Sequence, residues 1–506
     1  MALADYFHRS ALAVAQIAHG YDEERLRLLL GATSVSVSIG NVDGPEGDAL
    51  ADLVVRLVSR LYPQLTLEVR ERRQREQLAA LAREINPLIE LGEGQSELGL
   101  VIGDGIQTAA KAPIFLGSDR WNAFMSSREP LRVGDSANPF GAGVAACLGV
   151  AALFRQVVLG SAPPSSEAAA TVTFSAWTCD LGQASGPDVD AQVNDAVLVG
   201  GGAIGNAATW ALARTQLSGS LHIVDHEAVE LSNLQRYVLA VRSDDGATKA
   251  NLLSSWFQGR LSAIPSVATW QDFVASQGYA WRWALVGLDS ARDRRAVQAS
   301  LPEHIINAWT QPGDLGVSVH PALDAGACLS CLYLPAGQVP NEDELVAHAL
   351  GLDHARFGLQ IRQLLDAGGT PPRELLDEVA AHLQVERDQI GPYETRPLRD
   401  LYVEGICGGG LVSLDRLGSP HQELHVPLAH QSTLAGVLLA ARYVRLLMGE
   451  GPDRASVTRL NVMREISHHP TQAAAKRDDG LCICQDPVYA LRYDQKWREG
   501  RSLASA

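Results

Sequence analysis

The stretch Val197-Leu-Val-Gly-Gly-Gly-Ala-Ile-Gly205 constrains this chain more than any other. An apolar run enters Gly200-x-Gly202-x-x-Gly205, and a helix-like segment from Asn206 to Arg214 leaves it. A second apolar strand, Leu221-His-Ile-Val, then ends on Asp225. This strand–turn–helix–strand order is that of a nucleotide-binding fingerprint. Glycines permit a tight turn and a close approach of backbone to phosphate, and the helix N-terminus offers unpaired N–H groups. An acidic residue about 20 positions past the last glycine is placed to accept from ribose hydroxyls. Alone, the loop specifies a nucleotide but neither its kind nor its chemistry.

Bulk properties narrow the classes. A chain of 506 residues exceeds one ordinary domain, so two or three are expected. It is 46% apolar and 20% charged, a globular composition. A formal charge of −16 without a Lys/Arg-rich run argues against a nucleic-acid partner. Local N–H groups, a few cations and Mg²⁺ can still hold ATP in an acidic protein. No segment reaches the roughly 18 uninterrupted apolar residues of a membrane span. The N-terminus, Met1-Ala-Leu-Ala-Asp5, lacks the basic start of a signal peptide. A cytoplasmic protein with no membrane partner is expected. The cysteines, seven and thinly spread, fit a reducing compartment.

Gly160-Ser-Ala-Pro-Pro-Ser-Ser-Glu-Ala-Ala-Ala170 reads as a linker between residues 1–159 and the rest. The first part alternates strand-like runs (34–39, 65–69, 98–102, 113–117) with helical spacing (5–19, 49–61, 74–84, 141–159), which predicts an α/β domain with a parallel sheet. Its first loop, Gly40-Asn-Val-Asp-Gly-Pro-Glu-Gly47, lacks the glycine fingerprint and reads as degenerate. The second part continues as α/β through residues 171–335. Helical spacing then takes over at 343–352, 354–367 and 373–385, which predicts a helical insertion over 336–404. The α/β pattern resumes over 405–485, with a long buried helix at 433–447 and a tail at 486–506. No internal repeat is evident.

A second set of residues follows the glycine loop in fixed order. After Asp225 come Glu227 and Ser232-Asn233-Leu234-Gln235-Arg236, then Gly246-Ala-Thr-Lys249. Gly287-Leu-Asp289 ends a strand, and Cys328-Leu-Ser-Cys331, Gly405-Ile-Cys407-Gly-Gly-Gly410 and Cys482-Ile-Cys484 complete the series. This order resembles the ThiF/MoeB/E1 superfamily, whose members adenylate the C-terminal glycine of ubiquitin-like proteins, over roughly Thr171 to Gln485. The resemblance implies a Rossmann-like adenylation fold in this half. It also implies that Gly200, Gly202 and Gly205 cradle ATP phosphates and that Asp225 holds the ribose, with Ala203 and Glu227 also in the ATP site. Asn233, Arg236 and Lys249 would grip the phosphate chain and stabilise charge as the carboxylate attacks, and Asp289 would bind Mg²⁺. Two anions must approach each other, so fixed cations and a metal have to offset their repulsion. The chain departs from the family at Tyr237, where many relatives have Gln, and at Ser290, where many have Asn.

The resemblance extends to the cysteines. Cys328, Cys331, Cys482 and Cys484 stand where relatives carry zinc ligands, which implies a closed, structural four-thiolate Zn²⁺ site. Cys407 is the candidate nucleophile for a thioester, flanked by glycines that leave it unshielded. Cys147 reads as core and Cys179 as unassigned; His421, His425 and His430 lie near Cys407 in sequence, and His468-His469-Pro470 reads as a turn. Relatives receive an arginine from the first helix of a partner domain, and Arg9 is the candidate here.

A degenerate α/β half followed by a complete one suggests an intramolecular pseudo-dimer of an inactive and an active adenylation domain; a homodimer is the alternative. The plan resembles the E1-like enzymes of bacterial ubiquitin-like conjugation operons of the Bil and Bub types, linked to antiviral defence. The implied partners are a ubiquitin-like protein with a C-terminal glycine and an E2-like protein. Two other readings stand beside this one. One is a ThiF/MoeB-type adenylyltransferase serving a sulfur carrier without an E2. The other is an NAD-dependent oxidoreductase, which the glycine loop permits and the Asn233, Arg236, Lys249 and Asp289 set disfavours.

Overall fold

Apolar runs alternate with amphipathic stretches twice along the chain, and each series builds its own eight-stranded sheet. The structure, a computed structural model, describes all residues except 1–3, 5, 18–22, 161–170, 185, 313, 335–340, 384, 403–404, 406–425, 465, 467 and 500–506. The first sheet holds β1 (Ser34–Ile39), β2 (Gln64–Val69), β3 (Glu90–Gly92), β4 (Ser96–Ile102), β5 (Ala110–Asp119), β6 (Asn122–Ser126), β7 (Thr171–Ser175) and β8 (Asp180–Leu181). Its order is β3-β2-β1-β4-β5-β6-β7-β8. The second holds β9 (Gln192–Val199), β10 (Ser218–Val224), β11 (Leu261–Ser266), β12 (Trp283–Val286), β13 (His304–Thr310), β14 (Leu315–His320), β15 (Ser456–Leu460) and β16 (Thr471–Ala473). Its order is β11-β10-β9-β12-β13-β14-β15-β16.

The two orders are the same. In each sheet the strands up to β5 or β13 pair in parallel, and the remainder continue antiparallel. The chain is a duplicated Rossmann-like fold whose halves share topology without a legible sequence repeat. The linker-like stretch at 160–170 does not separate them. β7 and β8 follow it and pair onto β6, so the first sheet runs to Leu181 and the second begins at Gln192. Composition marked a break in periodicity there, and pairing overrode it.

β1 shows why alternation alone misleads about exposure. Its Ser-Val-Ser-Val pattern suggests one wet face, yet all but its first residue are buried. The serines are paired instead: Ser36 bonds Ser96 at 2.8 Å and Ser38 bonds Thr108 at 2.8 Å.

Both sheets belong to the larger of two units, Met1–Ser10, Leu26–Leu334 and Pro427–Ala506. Two long helices, Phe140–Val158 and Ala429–Leu447, are buried nearly all round. The first has the length and composition of a membrane span, but 83% of its most apolar window is buried inside the protein. Glycines let the helices approach closely. A Cβ on Gly143 would meet Trp210 at 2.9 Å and Val437 at 3.1 Å, and one on Gly436 would meet the Ile204 carbonyl at 2.3 Å. The halves exchange contacts through these helices. Arg155 on the first donates to the Val462 carbonyl beyond β15. Arg442 and Arg445 on the second donate to Thr178 and Trp177 carbonyls between β7 and β8, at 3.0 and 2.8 Å.

The smaller unit comprises Ala11–Arg25 and Pro335–Val426. Its helices Glu342–Ala349, His354–Ala367 and Arg373–Leu383 enclose a core that includes Val346, Phe357, Ile361, Leu375 and Val379. Asp343 fastens two of them by accepting from His354 at 3.0 Å and Arg362 at 2.7 Å.

Candidate functional site

Each glycine of the fingerprint meets a different physical demand. Gly200 has φ +98°, and a Cβ there would lie 2.9 Å from the Gly287 carbonyl oxygen at the end of β12. A Cβ on Gly205 would lie 2.1 Å from the Gly200 carbonyl oxygen, so only glycine lets the helix Ala203–Leu212 pack on the turn. Gly202 is the open position: a Cβ there meets nothing closer than the Tyr237 hydroxyl at 3.7 Å. That leaves the N-terminus of the helix accessible to an anion.

Asp225 shapes this loop. One carboxylate oxygen accepts the Gly201 N–H at 2.6 Å and the other the Glu227 N–H at 2.8 Å. Burial holds its carboxyl above the ordinary value, against Lys249 and the two N–H donors. Asn206 braces the loop from below. Its side chain donates to the Gly201 and Gly202 carbonyls at 2.9 and 3.1 Å and accepts the Leu239 N–H at 3.3 Å.

Cations converge beside the loop. Lys249 is buried, ion-paired with Glu227, and 5.3 Å from the centre of the Tyr237 ring. Burial opposes its charge, but Tyr237, Glu227 and Asp225 outweigh that and raise its pKa. Asn233 sits in a short 3₁₀ turn, Leu231–Gln235, and its side-chain oxygen accepts the Glu230 N–H at 3.1 Å. Arg236 ends that turn with its guanidinium 5.6 Å from the Tyr237 ring centre. Its Nη1 is buried without a hydrogen-bond partner. Arg9, in the helix Phe7–Ile17, comes close enough for the two guanidiniums to repel. Burial and Arg236 lower the Arg9 pKa, partly offset by Glu230. A buried donor with no acceptor beside a second guanidinium is a costly arrangement unless an anion joins it.

Asp289 lies past the C-terminal end of β12 and is exposed. Its carboxylate is a hard oxygen donor suited to Mg²⁺. Ser290, the departure from the family pattern, caps the next helix by accepting the Asp293 N–H at 2.9 Å. Tyr237, the other departure, is buried with Tyr6 and Leu234.

The corresponding crevice of the first half is filled by its own chain. Gly40 and Gly103 stand after β1 and β4 as Gly200 and Gly287 stand after β9 and β12. Between Gly40 and the helix Pro45–Val58, however, the loop is longer, and Asn41 bridges to Asp104 across the mouth. Arg70 occupies the place after β2 that Asp225 holds after β10, and it donates to Asn41 Oδ1 at 2.6 Å. The acid at this place in the second half is thus a cation in the first.

Away from this site, Cys328, Cys331, Cys482 and Cys484 are buried together, with all four sulfurs within 4.8 Å of one another. Sγ–Sγ separations of 3.4 to 3.8 Å link them. Four thiolates about 2.3 Å from a tetrahedral Zn²⁺ would stand about 3.8 Å apart, so the cluster fits that ion. Cys147 is fully buried and its thiol pKa is pushed well above the ordinary value by burial. His430 is buried in the helix Ala429–Leu447, and burial lowers its pKa to about 3. His469 takes a left-handed turn conformation, φ 57°, and bonds Asp180 at 3.1 Å. Cys407, His421 and His425 lie outside the described residues.

Residues 191–482 match the model of the ThiF family, more than half of the chain. The chain belongs to the ThiF family. Residues 40–159 also match the model named Prokaryotic E2 family C. The chain is 36% identical over 511 residues to the Sinorhizobium fredii (strain NBRC 101917 / NGR234) protein named "Uncharacterized protein y4jF", covering 98% of both. It is 31% identical over 112 residues to the Nedd8-activating enzyme E1 catalytic subunit of Drosophila melanogaster, covering 21% of this chain and 24% of that one. Among solved structures, E. coli MccB with MccA-N7isoASN aligns over 58% of this chain and 67% of that one, at 14% identity and a TM-score of 0.35.

ThiF-family membership makes this an E1-like adenylyltransferase family chain and ATP the fitting nucleotide for the loop. In the sequence Asn206 reads only as the start of a helix, although a polar residue inside the apolar helix Ala203–Leu212 is a visible signal. Asp52, Arg56 and Arg60 were missed too, and nothing local marks them.

Proposed function

We propose that this chain is an E1-like activating enzyme that adenylates the C-terminal glycine of a ubiquitin-like protein. The observation that carries the reading is Arg236 Nη1, buried without a hydrogen-bond partner, with Arg236 and Lys249 both against the ring of Tyr237, whose hydroxyl is the nearest neighbour of the open Gly202 position. Such a cluster suits a triphosphate meeting a carboxylate better than the less charged pyrophosphate of NAD.

In this reading the glycine loop holds ATP phosphates and Asp289 supplies oxygen to Mg²⁺. The glycine carboxylate attacks the α-phosphorus, an O–P bond forms, and pyrophosphate leaves. Arg236, Arg9 and Lys249 offset the charge that gathers there. Lys249 can exchange its Glu227 partner for phosphate oxygen, and its raised pKa keeps it charged throughout. Cys407 as thiolate then attacks the acyl-adenylate carbonyl, forming the thioester and releasing AMP. Transfer to an E2-like thiol follows. The four-cysteine cluster would hold a structural Zn²⁺ that ties residues 482–484 to the region after β14. The first half would act as the inactive partner domain, contributing Arg9 within the same chain.

Incubation with Mg-ATP and a candidate ubiquitin-like protein ending in glycine, followed by a non-reducing gel, tests this. A thiol-sensitive conjugate lost in Cys407→Ala supports the full reading. Its persistence in Cys407→Ala overturns the cysteine assignment, and adenylation without any conjugate points to sulfur-carrier activation instead.

A further inference from the structure

We propose that Arg60, from the half without a nucleotide loop, is a positioning residue for the phosphate site of the other half. The inference rests on reading the second half as an ATP site. Residues Tyr237–Ala240 follow directly on Arg236 and form a buried turn. Buried carbonyls outside a regular ladder need donors from elsewhere. Arg60 supplies them: Nη2 reaches the carbonyls of Tyr237 at 2.6 Å, Val238 at 3.1 Å and Ala240 at 2.7 Å. Its Nη1 donates back to the Arg56 carbonyl at 2.5 Å, which fixes the guanidinium plane. Arg56 adds Nη1 bonds to Val238 and Leu239 carbonyls at 3.1 and 3.4 Å.

The turn so held is linked to both parts of the phosphate site. Asn206 joins its Leu239 N–H to the Gly201 and Gly202 carbonyls. Tyr6, three residues before Arg9, packs in one buried cluster with Tyr237, whose carbonyl Arg60 holds. Arg60 therefore bears on the helix that presents Arg9 and on the turn that follows Arg236. The guanidinium is fixed as a plane because Nη1 is bonded to the Arg56 carbonyl while Nη2 holds the turn, a rigid two-ended bridge that the rotating ammonium of lysine does not reproduce. The half that lost its own nucleotide loop keeps a defined role in the reaction: it sets where Arg236 of the other half stands relative to its own Arg9.

The test is a double-mutant cycle on the full chain, with Mg-ATP affinity read by calorimetry. Arg60→Met is expected to weaken ATP binding about tenfold in the wild-type background and less than about twofold in the Arg236→Ala background. Equal weakening in both backgrounds, or none in either, overturns the proposal. Arg60→Lys, which keeps a charge but loses the fork, repeats the cycle if Arg60→Met does not fold. If the wild-type chain binds no Mg-ATP, the nucleotide reading fails by itself. Amide exchange at Val238–Ala240 then decides the positioning role: selective acceleration in the Arg60 variant supports it, and unchanged exchange overturns it.

Discussion

Arg9 and Arg236 are 227 positions apart in the sequence, yet their like charges act on each other beside Glu230 and Tyr237. Burial and Arg236 together outweigh Glu230 there, so Arg9 carries its charge at a cost. The pair therefore sets stability against function. Arg9→Ala should leave the nucleotide-free protein as stable as wild type or more so, because it removes repulsion. The same change should weaken Mg-ATP binding by about 1–2 kcal/mol, the scale of a charged hydrogen bond. Thermal melts with and without Mg-ATP check both signs.

Two glycines of one loop should respond oppositely to the same substitution. Gly205→Ala forces a Cβ to 2.1 Å from the Gly200 carbonyl, so the melting temperature should fall. Gly202→Ala finds space to 3.7 Å and should melt like wild type while binding Mg-ATP more weakly, because the methyl group stands where phosphate would approach. Melting curves and calorimetry on the two variants separate the roles.

The join between the halves should be sensitive to acid. Asp52 pairs with Arg56 at 2.9 Å and with Arg214 at 2.8 Å, and accepts from Trp210 at 2.9 Å. Burial works against its charge, but the arginines outweigh it and hold its pKa below the ordinary 3.8. For a carboxyl depressed in the folded state, the added stability is present above 3.8 and is lost as pH falls through the lower folded value. Asp52→Asn should therefore cost roughly 2–4 kcal/mol at neutral pH. The cost should shrink towards nothing below the folded pKa. Denaturant titrations of both proteins at neutral and strongly acidic pH measure the difference.

Removing metal should loosen the second half. Atomic emission should find zinc bound to the chain, and Cys482→Ser should lose it along with several degrees of melting temperature. Metal-free wild-type protein that melts unchanged after chelation would remove the staple from the picture.

The match of residues 40–159 to a prokaryotic E2 family invites a search for an acyl-accepting thiol there. The region's cysteine, Cys147, is fully buried on the helix Phe140–Val158, with burial suppressing its thiolate. Cys147→Ser should form the same thiol-sensitive conjugate as wild type on a non-reducing gel.

Local chemistry was legible in the sequence, and long-range chemistry was not. The glycine loop and Asp225 stand out by their strand–turn–helix–strand context, whereas Asn233, Arg236 and Lys249 are marked in the sequence only by the resemblance of their short stretches to a family pattern. The paired cysteines read as a site because both pairs are short motifs. The duplication of the sheets escaped notice because topology is kept by apolar periodicity while residue identity drifts: Arg70 stands where Asp225 stands in the other half, and a longer loop replaces the fingerprint. Arg60 was invisible for a different reason. Its carbonyl partners lie 177 to 180 positions away, and no side-chain motif records a contact to backbone.

ATP–pyrophosphate exchange by the full chain measures adenylation directly, with a ubiquitin-like protein ending in glycine as the carboxylate. Exchange should require that protein's C-terminal glycine. It should fall by about two orders of magnitude in Arg236→Ala, the scale of removing one donor from a charge-stabilising site. Exchange that proceeds without the carboxylate partner, or that survives Arg236→Ala unchanged, would contradict the assignment of this site to adenylation.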